Sequence, residues 1–309
     1  MRKALILFIS AIAVLFAFSA CGEPSGIGAL DEIEYEQWYW DAEEGQASPL
    51  PKRTSDYTVV GSGTTEWKNG TYVVTKDVEI KTRVEVTGSV DLIICSGVSL
   101  KVPKGIDVDE YDSLSIYGQE NGIGKLVIDN CAAGDAGIGN GGNAGTVVVH
   151  CADITVTGGS NCAAIGGGPN CQNAIDFTLY SGTVNAVGGS KGAGIGGGKD
   201  GDGGDVMIYG GKITATGTDG GAGIGGDYNG AGGYVTIYKT PYLTANGSDG
   251  ADGIGGGVAE PMIHGYLNTT ASGVPVFLQM SDDSSHSDPS DFDPESPDVR
   301  KQFMWRAGI

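Results

Sequence analysis

Short runs of alternating apolar and polar residues fill most of this chain, and glycines punctuate them. Val206-Met207-Ile208-Tyr209 and Lys212-Ile213-Thr214-Ala215-Thr216 are typical. Apolar residues fall at every second position, the period of a strand with one buried face. Between such pairs of runs a phrase recurs, cleanest as Ala193-Gly194-Ile195-Gly196-Gly197-Gly198. Its isoleucine returns as Ile138, Ile165, Ile195, Ile224 and Ile254, at steps of 27, 30, 29 and 30 residues. Three short strands per step, joined by glycine corners, predict one coil of a β-solenoid. No repeat can bury its own apolar stripe, so neighbouring coils must stack. The pattern therefore predicts an all-β, single-stranded parallel β-helix of about 29 residues per central coil.

The same logic assigns the interior. Each isoleucine should lie over the isoleucine of the next coil. Val206, Ile208, Ile213 and Ala215 should fill the rest, with Val147, Val149, Ile154 and Val156 on one side and Val235, Ile237, Leu243 and Ala245 on the other. Collagen would need a spacing of three, and the calcium-binding β-roll a nine-residue glycine-aspartate step; neither is present. From Tyr57 to about residue 130 the alternation continues with less glycine, as expected of atypical first coils, and Trp67 and Tyr72 suit a cap over the open end. Residues 131–260 hold the Gly-rich repeats, and 261–280 read as a closing cap. About six to seven coils at ~4.8 Å make a rod about 30 Å long.

Composition adds to this picture. The chain has 55 Gly in 309 residues, ordinary apolar content and a formal net charge of −20. A core is affordable, and nucleic-acid binding, which wants a basic face, is disfavoured. Arg2 and Lys3, an apolar run from Ala4 to Phe18 and then Ser19-Ala20-Cys21 read as a signal peptide over 1–20. No later apolar span is long enough for a membrane helix. Export follows as the expectation, with any membrane attachment by a lipid anchor alone. Residues 21–56 crowd Asp31, Glu32, Glu34, Glu36, Asp41, Glu43 and Glu44 around Trp38-Tyr39-Trp40. They read as an acidic tether; docking of the aromatic trio onto the solenoid is the alternative. Residues 281–309 read as a solvated Ser/Asp/Pro tail, with Phe303-Met304-Trp305 unexplained.

The run Val90-Asp91-Leu92-Ile93-Ile94-Cys95-Ser96-Gly97, followed by Ser113-Leu114-Ser115-Ile116-Tyr117-Gly118-Gln119 and the glycine phrases, resembles bacterial surface proteins with Gly-Ala-Gly-Ile-Gly-Gly-Gly repeats. These belong with carbohydrate-binding-domain or pectate-lyase-like parallel β-helix proteins. The resemblance covers about residues 57–260. It implies a right-handed helix and an extracytoplasmic location, and little about activity. Phe18-Ser19-Ala20-Cys21 likewise resembles a bacterial lipobox, with Phe18 where Leu is usual. It implies lipidation at Cys21 and a place on the outer face of a membrane, simple secretion being the alternative.

Aligning coils on the isoleucine puts Tyr180, Tyr209 and Tyr238 in one outward column behind His150, with Thr214 and Thr244 in a neighbouring one. Thr155 and Asn185 precede those threonines, and Thr157, Val187, Thr216 and Asn246 form the next column. Rings beside hydroxyls and amides suit a polysaccharide; mutual support across strands is the competing account. Corner residues Asp200, Asp202, Asp205, Asp219 and Asp249 suit turn chemistry or, more sharply, calcium.

No enzyme constellation emerges. No Glu occurs between Glu120 and Glu260, no Arg between Arg83 and Arg300, and the alignment leaves the outward strand positions of the middle coils without Asp. Asp107, Asp109 and Glu110 group without evident partners. With Cys21 lipidated, Cys95, Cys131, Cys151, Cys162 and Cys171 leave an odd count, with Cys95 in an inward slot and a Cys162–Cys171 staple within reach. The sequence thus predicts a monomeric, non-catalytic surface module that binds a polysaccharide or another cell-surface ligand. The alternative is a structural or adhesive protein with a protein partner; a polysaccharide lyase ranks below both.

Overall fold

The computed structural model describes residues 31–119, 124–238 and 242–257, together with the backbone of strands Tyr266–Thr269, Val276–Gln279 and Gln302–Ala307. It is an all-β parallel solenoid with about 29 residues per central coil. Three strand columns run down its axis. An isoleucine sheet stacks Val84, Ile106, Ile138, Ile165, Ile195, Ile224 and Ile254 in register. A valine sheet stacks Ser113–Tyr117, Thr146–Val149, Asp176–Leu179, Asp205–Ile208 and Tyr234–Ile237. A threonine sheet stacks Lys125–Ile128, Ala152–Thr157, Gly182–Val187, Lys212–Thr216 and Tyr242–Asn246.

The inward slots match the alternation. Ile138, Ile165, Ile195 and Ile224 are fully buried, and Ile254 packs against the same core from a partly buried position. Val147, Val149, Ile154, Val156, Val206, Ile208, Ile213, Ala215, Val235, Ile237, Leu243 and Ala245 join them in one continuous cluster. Burying such a side chain contributes roughly 1.5–3 kcal/mol relative to exposure. Trp67 and Tyr72 are buried in the first coils, with ring centroids 5.7 Å apart.

One glycine per coil is forced by the backbone. Gly139, Gly166, Gly196, Gly225 and Gly255 follow the isoleucines and all have φ between 130° and 144°. A Cβ on Gly196 would lie 2.0 Å from the carbonyl oxygen of Gly225 in the next coil, and Gly139 and Gly166 meet their neighbours in the same way. Only a residue without Cβ can hold that torsion and that approach together.

The acidic segment expected as a tether is, in its described part, a β-hairpin. β1 (Ile33–Asp41) pairs antiparallel with β2 (Gln46–Thr54). β1 runs along the solenoid, seating Ile33 in a cluster with Val73, Ile93, Cys95 and Tyr117. Glu36 donates its amide to the Gly118 carbonyl at 3.1 Å, and Gln119 Nε2 donates to the Glu34 carbonyl at 2.7 Å. High acid content did not prevent a strand, because the apolar side chains found partners on the solenoid. Cys95 is accordingly buried beneath the hairpin and not in the solenoid interior.

The far end also differs from expectation. Tyr266–Thr269 extends the valine sheet, and Gln302–Ala307 pairs antiparallel with Tyr242–Asn246, setting Trp305 opposite Leu243. The end of the expected tail is therefore a strand. Residues 1–30, with the signal peptide and Cys21, and 281–301 of the tail lie outside the described residues.

Candidate functional site

Just past the buried Ile116, Val149, Leu179, Ile208 and Ile237 of the valine sheet, the next residue of each coil turns outward at the corner before the threonine sheet. There Tyr117, His150, Tyr180, Tyr209 and Tyr238 form one ladder. Successive centroids lie 4.4, 5.3, 4.9 and 4.4 Å apart, with interplanar angles of 6°, 5°, 6° and 18°. The spacing is that of neighbouring strands. It turns the ring faces toward one another and leaves edges and hydroxyls outward. A sugar stacks on a ring face, so the expected glycan platform is not presented here.

β1 covers the ladder. Tyr35 meets Tyr117 edge-on at 5.0 Å, and the Trp40 ring lies 5.4 Å from Tyr209 and 4.9 Å from Tyr238. His150 Nδ1 stands 3.1 Å from the Trp38 amide nitrogen and 2.9 Å from the Trp38 carbonyl oxygen; the tautomer sets which it serves. Burial holds the His150 pKa down at about 4, against a weaker upward pull from the Trp38 carbonyl. Burial also pushes Tyr117 and Tyr180 up, and Tyr209 to about 12, where Tyr238 adds to the effect.

The threonine sheet has a different outer face. Thr155, Asn185, Thr214 and Thr244 are paired residue to residue, and so are Thr157, Val187, Thr216 and Asn246. Thr155, Asn185 and Val187 are exposed and the others half-buried. Rows lie ~4.8 Å apart between coils, and positions ~6.6 Å apart along a strand. Hydroxyls and amides both donate and accept, so these two rows, Val187 apart, form a grid of neutral hydrogen-bonding groups bordered by the charged Asp153 and Lys212.

The corner aspartates do not converge. Asp219 accepts from the Ser190 hydroxyl at 2.5 Å. Asp200 is bonded by Asn229 and by Lys199 Nζ at 2.9 Å, and Asp202 accepts the Ala231 amide at 2.8 Å. Asp205 opens an outward strand, and Asp249 is exposed. Asp200, Asp219 and Asp249 hold φ of 58°, 49° and 52°, the left-handed corners that aspartate tolerates. Among the described residues no group of three or more His, Cys, Asp or Glu is arranged to hold a metal. Turn geometry accounts for Asp200, Asp219 and Asp249.

Two readings of the acids change. Asp176 and Asp205 do occupy outward strand positions, side by side in register, and burial with Asp205's charge raises the Asp176 pKa. Asp107 has partners after all: Arg83 Nη2 at 3.2 Å and Asn140 Nδ2 at 3.4 Å. The same guanidinium donates to the carbonyls of Lys104, Ala136 and Gly139 at 3.1, 2.8 and 2.8 Å. Those bonds occupy Arg83 as a clamp across coils. Cys131, Cys151, Cys162 and Cys171 are free thiols, so no Cys162–Cys171 staple is formed.

Comparison with known proteins bears on the fold. A family model described as Beta helix repeat matches residues 177–199 and 206–228, which are successive central coils. No curated protein and no solved structure matches the chain. Repeat and architecture agree: this chain is a parallel β-helix protein.

Proposed function

We propose that this protein is a non-catalytic extracytoplasmic surface module that binds polysaccharide along its threonine sheet. The observation that carries this reading is the in-register face of Thr155, Asn185, Thr214 and Thr244 beside Thr157, Thr216 and Asn246. A polysaccharide repeats its hydroxyls along one axis, and a solenoid repeats its hydrogen-bonding groups along one axis. The tyrosines serve this face indirectly, by stiffening the corner from which it starts. The signal-like N-terminus and the Cys21 lipobox support export to the outer face of a bacterial membrane.

The test is retention on a panel of insoluble and soluble polysaccharides, comparing the native chain with N185A and T214A. Binding that falls in both variants supports the threonine face; binding unchanged by either removes it. A protein partner is the second reading, favoured by exposed Tyr39 and Leu50 on the hairpin and Tyr234, 65% exposed, on the valine sheet. Y39A and L50A would then weaken adhesion while N185A would not. Palmitate labelling that is lost in C21S tests the anchor.

A further inference from the structure

Asp227 stands where the repeat otherwise places Gly168, Gly198 and Gly257. Its residue is fully buried, and neither carboxylate oxygen has a hydrogen-bond partner. One oxygen lies against Gly221, 2.9 Å from where a Cβ on that residue would be. The surrounding corner is closed by backbone bonds. Asp227 donates its amide to Gly201 at 3.1 Å, Ala222 to Gly226 at 3.1 Å, and Gly230 back to Asp227 at 2.5 Å. Burying an ionised carboxylate without donors costs several kcal/mol, whereas the neutral acid fits at much lower cost.

Among the described residues the charged groups around it come from three coils. Asp200 and Lys199 come from the preceding loop, and Lys191 from the preceding corner, its Nζ 5.9 Å from the Tyr228 ring centroid. Asp202 is bound to Ala231, and Cys171 belongs to the coil before. Asp252, also buried, lies in the following coil and accepts the Gly256 amide at 3.1 Å. Burial first, and then the Asp200 charge, raise Asp227, and its pKa stands at about 7. The amides of Tyr228 and Asp200, which lie near the carboxylate without hydrogen-bond geometry to it, and the Lys191 charge pull the other way.

We propose that Asp227 is a proton-controlled latch: protonated, it fills the glycine-lined corner of residues 221–230, and ionised, it must leave and open that corner. A carboxylate whose folded pKa is raised favours the closed form at low pH. That preference declines as pH rises from about 4 towards 7.

Hydrogen exchange on the full chain at pH 5.5 and 8.5, corrected for intrinsic chemistry, tests this. Segments covering 217–233 should lose protection by about tenfold or more at the higher pH. Segments covering 176–187 should not. Asp227→Asn, which mimics the neutral acid, should keep protection at both. Asp227→Gly, which restores the repeat glycine, should do the same and serves if the amide fails to fold. Equal native protection at both pH values, or equal alkaline loss in both variants, overturns the latch.

Discussion

The ring of Trp40 lies 4.9 Å from that of Tyr238, joining the N-terminal hairpin to one of the last described coils. The same strand begins with Ile33 against Val73 and Ile93 in the first coils. In a plain solenoid each coil touches only its neighbours, and stability is a sum of local terms. Here one strand touches coils near both ends. Trp40→Ala should cost about 2 kcal/mol, less than a fully buried tryptophan because the site is half-exposed. It should also broaden the unfolding transition. Denaturant melts followed by circular dichroism would check both; a sharp, unshifted transition would deny the hairpin this coupling.

Gly196→Ala tests the forced glycines. The added methyl meets the Gly225 carbonyl at 2.0 Å with φ at 133°. The left-handed torsion alone costs about 1 kcal/mol, and the clash adds more, so at least 3 kcal/mol or outright failure to fold is expected. Gly142→Ala is the control, since only the Asn140 side chain comes near, at 3.7 Å. Thermal melts of the two should differ by many degrees.

Acid should weaken the seat of the hairpin. His150 titrates near 6.5 when unfolded and about 4 when folded. The stability it contributes is complete above 6.5 and is lost as pH falls from there to 4, by up to about 3 kcal/mol. His150→Phe keeps a flat ring between Tyr117 and Tyr180 and removes the proton site. The difference in stability between variant and native protein should therefore change across that window and stay level below pH 4. A constant difference from pH 4 to 7 would contradict the assignment.

The four free thiols should be slow to react. Burial raises Cys131 and Cys151 to about 11 and Cys162 to about 12, and also lifts Cys171. At pH 8 little thiolate is present to attack a disulfide reagent. Colour should develop slowly in native protein and at once in denaturant. Rapid reaction of Cys151 in the native state would mean that the hairpin leaves its seat.

The coil was readable because burial repeats with the chain. Ile165 and Ile195 fall at one phase of a fixed step, and Val206 and Ile208 show which face is inside. Of the hairpin only the docking of the Trp38-Tyr39-Trp40 stretch was legible, as the alternative to a tether, because its partners break that rule. Val73 and Ile93 are apolar at outward slots, and with Tyr117 and the tyrosines they mark an outer column that needed a cover. Glutamates at 34 and 36 hid the matching strand. Asp176 and Asp205 were misplaced because alignment on the isoleucine does not fix where the next strand begins. For Asp227 the sequence showed a broken glycine run, but only packing shows that its side chain points into the corner.

The edges of the hairpin have a consequence for growth of the molecule. The seven residue steps from Ile33 to Trp40 reach about 23 Å, and the four to five coil steps from Ile93 to the Tyr209–Tyr238 pair need about as much. The amides of Glu36 and Trp38 turn towards the solenoid, so Pro49 and Pro51 opposite them have no N–H to offer on the outer border of β2. Glycine coils are easily duplicated, but an inserted coil would lengthen the ladder without lengthening its cover. One tyrosine would lie bare, and a neighbouring chain could not readily lend a strand to mend it. The hairpin thus works as a built-in yardstick: a lineage that gains a coil must gain about one and a half residues of β1 with it.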